Sequence, residues 1–315
     1  MHDNFESDYN RSRRSFLQKS SAATLAMLLA RPALWAQSLN LVKNPDSKFF
    51  GVQIGVITYS YRSMPHDVNQ LLKYIVDSGI SAIELMGDSV EEYAGKPVDK
   101  DKVAEWRSTV SMDKFEEIKK MYKKAGVSIY AFKPDALGTK NSDAEIEYAL
   151  RAAKALGANA VTVELPRDPA QSERLGKLAA KHKIYVGYHA HTQATDTAWD
   201  TALSQSPYNS MNLDCGHYIA AGGNNTKESL LELIKSRHDR ITSLHIKDRK
   251  TKENGGDNLP WGEGDTPIKE ILNLLKEKKY KIPASIELEY KIPDGSDAVK
   301  EVKKCLEFAK HALGA

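Results

Sequence analysis

The sequence predicts one α/β domain folded as a (β/α)8 barrel (TIM barrel), carried behind a removable export signal. Three observations predict it. From residue 50 onward, short β-branched runs alternate with helix-period segments eight times over, the pattern of consecutive right-handed βαβ units. The strand-like runs are too apolar to keep one face in water, which suits a parallel sheet covered by helices. The chain has 315 residues, room for one such barrel at about 250 residues plus a leader. An open doubly wound sheet is the alternative. No Gly-x-Gly-x-x-Gly follows the first strand, so nothing supports a dinucleotide site there.

Taken in order, "GVQIGVITYSYR" is the first strand, followed by the amphipathic "PHDVNQLLKYIVDSG" with its glycine stop. "SAIELMG" is the second strand, and a charged helical stretch runs from about 99 to 124. "VSIYAFKPDA" is the third strand; its helix, "SDAEIEYALRAAKALG", has Ser142 as N-cap and Gly157 as terminator. "NAVTVELP", "IYVGYHAH", "SMNLDCGH", "RITSLHIKD" and "PASIELEY" supply strands four to eight, each trailed by a helical segment. The polar, glycine-rich stretch "RKTKENGGDNLPWGEGD" after strand seven is a candidate lid over the barrel mouth.

Residues 1–36 stand outside this pattern. They run from Ser12-Arg13-Arg14-Ser15-Phe16-Leu17 into an apolar segment of about 22–30 and then small residues near Ala36. That order is similar to a twin-arginine export signal, with Gln18 where a lysine is usual, and the segment is too short to span a bilayer, which takes about 20 apolar residues. The predicted organisation is a signal peptide over 1–36, a linker over 37–49 and the barrel over 50–315, with a periplasmic address and no membrane association once the signal is cleaved. Net charge is +3, too small and dispersed for a nucleic-acid partner. Cys215 and Cys305 are the only cysteines, so there is no disulfide framework. A homo-oligomer is compatible with the sequence.

In a barrel of this kind the chemistry collects at the C-terminal ends of the strands. Those ends carry Glu84, Glu164, His189 and His191, Asp214 and His217, His245 with Lys247 and Asp248, and Glu287 with Glu289. Residues two apart share a strand face, so His189/His191, His245/Lys247 and Glu287/Glu289 form aligned pairs of which one member need reach the centre. Carboxylates and imidazoles crowded into one cavity are costly unless something organises them, and a divalent cation (Mn, Co, Zn, Fe or Mg) does so. Plainer roles are available singly. Asp214 could cap the next segment, His191 could be a satisfied core histidine, Glu84 a structural ion-pair partner and Lys247-Asp248 a surface pair.

The pieces "YHAH" (188–191), "NLDCGHYIAAGG" (212–223), "SLHIKDR" (243–249), "WGEGDTPI" (261–268) and "IELEY" (286–290) resemble the xylose isomerase-like barrels, the sugar phosphate isomerase/epimerase group, over about 50–313. The resemblance implies a divalent metal held by a Glu on strand five, an Asp on strand six, a His on strand seven and a Glu on strand eight. The last three carry over to Asp214, His245 and Glu287. At the strand-five position His189 stands where a Glu is usual, so either Glu164 supplies the missing carboxylate or His189 itself is ligand or base. The resemblance also implies substrate contact by His217, and Lys247 is placed for a substrate oxygen. The expected activity is metal-assisted proton abstraction beside a carbonyl of a free sugar or keto-glycoside, with Glu164, Glu287 or His189 as base and His191, His217 and Lys247 alongside. Returning the proton gives an isomerase or epimerase; losing a β-substituent gives a lyase on a 3-keto-glycoside. A periplasmic address and the lack of an Arg/Lys phosphate clamp argue against sugar phosphates. A DNA-cleaving barrel of the endonuclease IV kind would need further histidines on strands two and three, which "IELMGDS" and "IYAFKPD" do not supply. A non-catalytic carbohydrate-binding barrel is the remaining alternative.

Overall fold

The structure is a computed structural model that describes residues 44–315; the signal and the first part of the linker lie outside the described residues. Eight parallel strands close on themselves: β1 Val52–Ile57, β2 Ala82–Met86, β3 Ser128–Lys133, β4 Ala160–Glu164, β5 Tyr185–His189, β6 Asn209–Asp214, β7 Ile241–Ile246 and β8 Ala284–Ile286. Each pairs with the next, and β8 returns to β1 with Ser285 opposite Gly55. Helices α1 Val68–Asp77, α2 Gly87–Tyr93, α3 Val103–Thr109, α4 Asp113–Lys124, α5 Asp143–Leu156, α6 Pro169–His182, α7 Asp200–Gln205, α8 Cys215–Ala221, α9 Lys227–Arg237, α10 Ile268–Lys278 and α11 Ala298–Leu313 follow the strands. This is the (β/α)8 barrel that the alternation predicts. Among the described residues no helix is long and apolar enough to cross a membrane.

The barrel unit begins at Pro45, ahead of the expected boundary at 50. Lys48–Phe49 pairs antiparallel with β1, and the buried Ser47 hydroxyl donates to the Ile54 carbonyl at 2.6 Å. This segment closes the N-terminal end of the barrel, which otherwise leaves the backbone groups at the start of β1 unpaired.

Side chains alternate along each strand. Ile54, Val56, Leu85, Val161, Val186, Leu213, Leu244 and Ile286 are all buried, and they pack outward with α1, α5, α6, α10 and α11 in one continuous apolar core. The inward set is polar: Glu84, Thr162, Asn212, Ser243 and His245 are each fully enclosed. Thr162 Oγ1 donates to Glu84 Oε1 at 2.6 Å, and Asn212 Nδ2 reaches Glu84 Oε2 at 3.0 Å and Ser243 Oγ at 3.1 Å. Beneath this layer Gly55 makes room for Tyr130; a β-carbon there would lie 2.9 Å from the ring.

Helix termini follow the local chemistry. Ser142 and Glu145 form a reciprocal capping box at the start of α5, and Gly157, at φ +84°, ends it. The single helix expected over 99–124 is a correction. It is broken into a 3₁₀ turn at Lys100–Lys102, α3 and α4, with Val110 extended between the helices. The hydroxyls of Ser108 and Thr109 bond back to the Glu105 carbonyl, and Ser111 Oγ accepts from Asp113 N to restart the helix. The break lets α3 deliver Arg107 into a buried cluster with Glu91 and Glu145.

Candidate metal centre

Four donor side chains converge at the C-terminal mouth. His189 ends β5, Asp214 ends β6, His245 is the fifth residue of β7, and Glu287 follows β8 directly. One ligand-type atom from each lies within 4.8 Å of the other three, and all four residues are buried. Parallel register brings them level: His189 is opposite Asn212, Asp214 is opposite His245, and His245 is opposite Ser285.

Each carboxylate and imidazole has a second partner that sets its orientation. Asp214 divides its oxygens: Oδ1 accepts from His217 N at 2.7 Å and so caps α8, while Oδ2 lies 3.2 Å from His189 Nε2. The capping and site readings of Asp214 both hold, one oxygen apiece. His245 Nε2 lies 2.8 Å from Glu84 Oε2; a carboxylate only accepts, so Nε2 donates and Nδ1 is turned to the centre. His189 Nδ1 is likewise 3.1 Å from Glu164 Oε2, which leaves Nε2 for the Asp214 side. Two histidines backed by carboxylates on their far nitrogens is the arrangement that aims imidazole at a metal.

The residues fit a divalent cation. His245 Nδ1 and Glu287 Oε2 are 2.9 Å apart and enclosed, and the Lys247 ammonium lies 2.9 Å from the same oxygen. Crowding buried charged groups together is costly unless a cation organises them, and these atoms gather with His189 Nε2 and Asp214 Oδ2 around one point. Two imidazoles and two carboxylates are a suitable set for Zn, Mn, Fe or Co.

Lys247 complicates and defines the centre. Its Nζ lies 3.0 Å from Asp214 Oδ2, 2.9 Å from Glu287 Oε2 and 2.8 Å from Glu289 Oε2, and it is buried. Asp248 beside it is buried too and accepts from the backbone N–H groups of Gly262, Gly264 and Thr266. The surface-pair reading of Lys247-Asp248 is therefore wrong. Three carboxylate neighbours saturate the ammonium, because β7 ends one residue earlier and the chain turns Lys247 across the mouth.

The electrostatics follow from these contacts. Burial opposes ionisation of Glu287, but His245 and Lys247 outweigh it and hold the carboxyl far below its ordinary range. Burial likewise disfavours a charged His245, yet Glu287 and Glu84 push its pKa up to about 10. His217 goes the other way: burial, reinforced by Lys247, His189 and His191 against the pull of Asp214, lowers it to about 3, so it is neutral. Arg249 Nη1 lies 2.6 Å from His217 Nδ1. Lys247 Nζ lies 3.1 Å from His217 Nε2, so both ring nitrogens face cationic donors, and the neutral ring has one acceptor nitrogen to share between them.

His191 and Glu164 form the outer rim. Glu164 Oε2 lies 3.1 Å from His191 Nδ1, and both side chains are about half exposed. The His191 ring sits 4.8 Å from His189 and 4.6 Å from His217, centroid to centroid. His191 is thus no core histidine; it stands over the four-donor cluster. Both members of each aligned pair reach the site, because β5, β7 and β8 end at or just before the pair and the chain curls over the mouth.

Glu84 is an ion-pair partner, as its plainer reading has it, but the partner is His245 of the centre. Two contributors escape the sequence reading. Lys133, the last residue of β3, lies 3.1 Å from Glu164 Oε1, and Arg249 joins His217 to the Gly256 carbonyl of the following loop. The sequence signal for Lys133 is its place at the C-terminal end of β3. The loop itself is ordered: Asp248–Arg249 pairs with Asn258–Leu259 in a small antiparallel ribbon.

No curated protein matches the sequence. Among solved structures, the probable 3-DHS dehydratase AsbF of Bacillus anthracis superposes with a TM-score of 0.59 at 16% identity, covering 81% of this chain and 98% of that one. The 3-keto-D-glucoside 4-epimerase YcjR of E. coli gives 0.59 at 14% identity, over 82% and 99%. The IOLI protein, solved with a bound zinc atom, gives 0.59 at 17% identity, over 84% and 98%. At such identities the likeness shows the fold. The xylose isomerase-like TIM barrel model matches residues 72–310, most of the chain, and the chain belongs to that family.

Proposed function

We propose that the chain is a metal-dependent enzyme that ionises a C–H bond beside a carbonyl of a carbohydrate, returning the proton as an isomerase or epimerase. The observation that carries this reading is the buried four-donor cluster of His189, Asp214, His245 and Glu287, one ligand-type atom from each within 4.8 Å of the others. A divalent cation held by those four supplies Lewis-acid polarisation of a carbonyl oxygen, which acidifies the neighbouring carbon.

The chain's own groups do the rest. Glu164 holds His191 by Nδ1, which presents Nε2 over the cluster as general base. Lys247, kept protonated by Asp214, Glu287 and Glu289 against the cost of burial, supplies fixed positive charge beside an oxygen gaining negative charge. Neutral His217, held between Arg249 and Lys247, lines the same side of the centre as a substrate contact. Glu287 is assigned to the metal rather than to proton transfer, since its acceptor oxygen faces His245 and Lys247.

The same first step followed by loss of a β-substituent is a lyase reaction, and the neighbours described above include both an epimerase and a dehydratase by name. The twin-arginine signal read from residues 1–36 supports export of folded, metal-loaded protein to the periplasm, where a free sugar or keto-glycoside is the substrate class met.

Incubating the protein in D2O with D-fructose, D-tagatose and a 3-keto-glucoside, and following deuterium by NMR, tests the reading. Deuterium appears at the carbon beside the carbonyl of at least one of them, and the rate falls by about 10²-fold or more in His191→Ala, the usual scale for loss of a general base. No exchange with any of the three leaves a carbohydrate-binding barrel instead.

A further inference from the structure

A second cavity rims the mouth on the opposite side from His191. It has a volume of about 190 Å³ and is lined by Tyr59, Arg62, His66, Met86, Asp88 and Ser89. These residues come from the turn Thr58–Tyr61 after β1 and the loop that follows it, and from the junction of β2 with α2. Arg62 also lines a neighbouring cavity of about 390 Å³ that runs along Leu288, Tyr290 and Ile292. Leu288 lies between the two site glutamates, Glu287 and Glu289. Ser60 Oγ ties the two walls together, donating to the Ile286 carbonyl at 3.3 Å and accepting from Leu288 N at 3.1 Å.

Three features equip the smaller cavity for a sugar ring. Tyr59 is one of the few exposed large apolar residues, at 38% exposure, and the Arg62 guanidinium sits 4.3 Å from its ring centroid. Arg62 is itself fixed by donating Nη1 to the Leu288 carbonyl at 2.6 Å, so the guanidinium braces one face of the ring. Ser89 is 4% exposed, yet its hydroxyl has no hydrogen-bond partner. A buried hydroxyl facing a cavity without a partner awaits one from a ligand. Asp88 adds an exposed carboxylate acceptor on the same wall. An aromatic surface for the C–H face of a pyranose, with a hydroxyl, a carboxylate and a guanidinium for its oxygens, is the lining that carbohydrate sites use.

We propose that this cavity is a subsite for a second ring, so that the substrate is a glycoside or disaccharide with its reacting ring at the four-donor centre and its distal ring against Tyr59. The inference rests on the reading of the centre as a sugar site and deepens it by naming the substrate class.

The test is the ratio of affinities for cellobiose and maltose over glucose, measured by calorimetry and saturation-transfer NMR on the full chain, in the wild type, Tyr59→Phe, Tyr59→Ala and Ser89→Ala. One aromatic contact of this kind corresponds to about a tenfold ratio. At least one disaccharide exceeds glucose about tenfold in the wild type and in Tyr59→Phe, which keeps the ring. The ratio falls towards one in Tyr59→Ala and by about threefold in Ser89→Ala, the scale of one lost neutral hydrogen bond. A ratio near one in the wild type, or one that neither Tyr59→Ala nor Ser89→Ala changes, overturns the subsite. Failure of the metal reading shows separately, as unaltered metal content in Asp214→Ala.

Discussion

Glu84 decides which nitrogen of His245 meets the centre. Its two oxygens are spent on Thr162, Asn212 and His245, so it holds the imidazole as an Nε2 donor from inside the barrel. Replacing it by Gln removes the obligate acceptor and lets the ring flip, and second-layer carboxylates of this sort are worth about 10–100-fold in metal affinity. Titrating Zn²⁺ into wild type and Glu84→Gln checks this; equal affinities contradict it. The pH dependence has a definite sign. Metal-free His245 keeps its proton up to a pKa of about 10, and that proton must leave before Nδ1 can bind. Wild-type affinity therefore rises with pH through the neutral range, by about tenfold per unit for each proton displaced. The residue identities were legible from sequence because they fall at strand ends. Their division of labour was not: that Asp214 both caps and faces the centre, or that Lys247 is enclosed by three carboxylates, depends on distances between strands far apart in sequence.

At the scale of elements, β6 runs into α8 without a connecting residue, and the Asp-Cys-Gly-His order at 214–217 is what permits it. Asp214 caps the helix; Gly216 lets it press against the next strand's exit. A β-carbon on Gly216 would lie 2.3 Å from Lys247 Cγ and 2.7 Å from the Lys247 carbonyl. Gly216→Ala accordingly pushes Lys247 out of its carboxylate triangle and costs about 1–3 kcal/mol as overpacking, read by urea unfolding together with loss of activity. A variant of wild-type stability would show that the contact yields freely. The strands and the α5 cap were readable from sequence, since periodicity and Ser/Gly signals are local. The break at Val110 was not, because a helix-forming composition concealed Ser and Thr hydroxyls that turn the backbone, and the reward for breaking is a distant pair, Arg107 with Glu91. The ordering of the loop after β7 was also hidden: it depends on Asp248, buried and collecting three backbone N–H groups from residues 14 to 18 positions on.

Across the whole molecule the barrel separates two tasks. The N-terminal face is closed by Ser47 and the Lys48–Phe49 strand, and the outward strand faces hold the core. The lumen and the C-terminal mouth carry the polar chemistry, a crowd of buried charged groups that one doubly charged ion would organise. The motif resemblance supplies the expectation of a metal, and in the proposed centre the strand-five donor is His189, an imidazole backed by Glu164 on the neighbouring strand. Elemental analysis of the purified protein after loading with Zn²⁺ and desalting tests the central claim most directly, with Asp214→Ala and His245→Ala run beside the wild type. The account predicts one tightly held ion per wild-type chain and none in either variant. A wild type that retains no ion, or variants that retain a full complement, would contradict it.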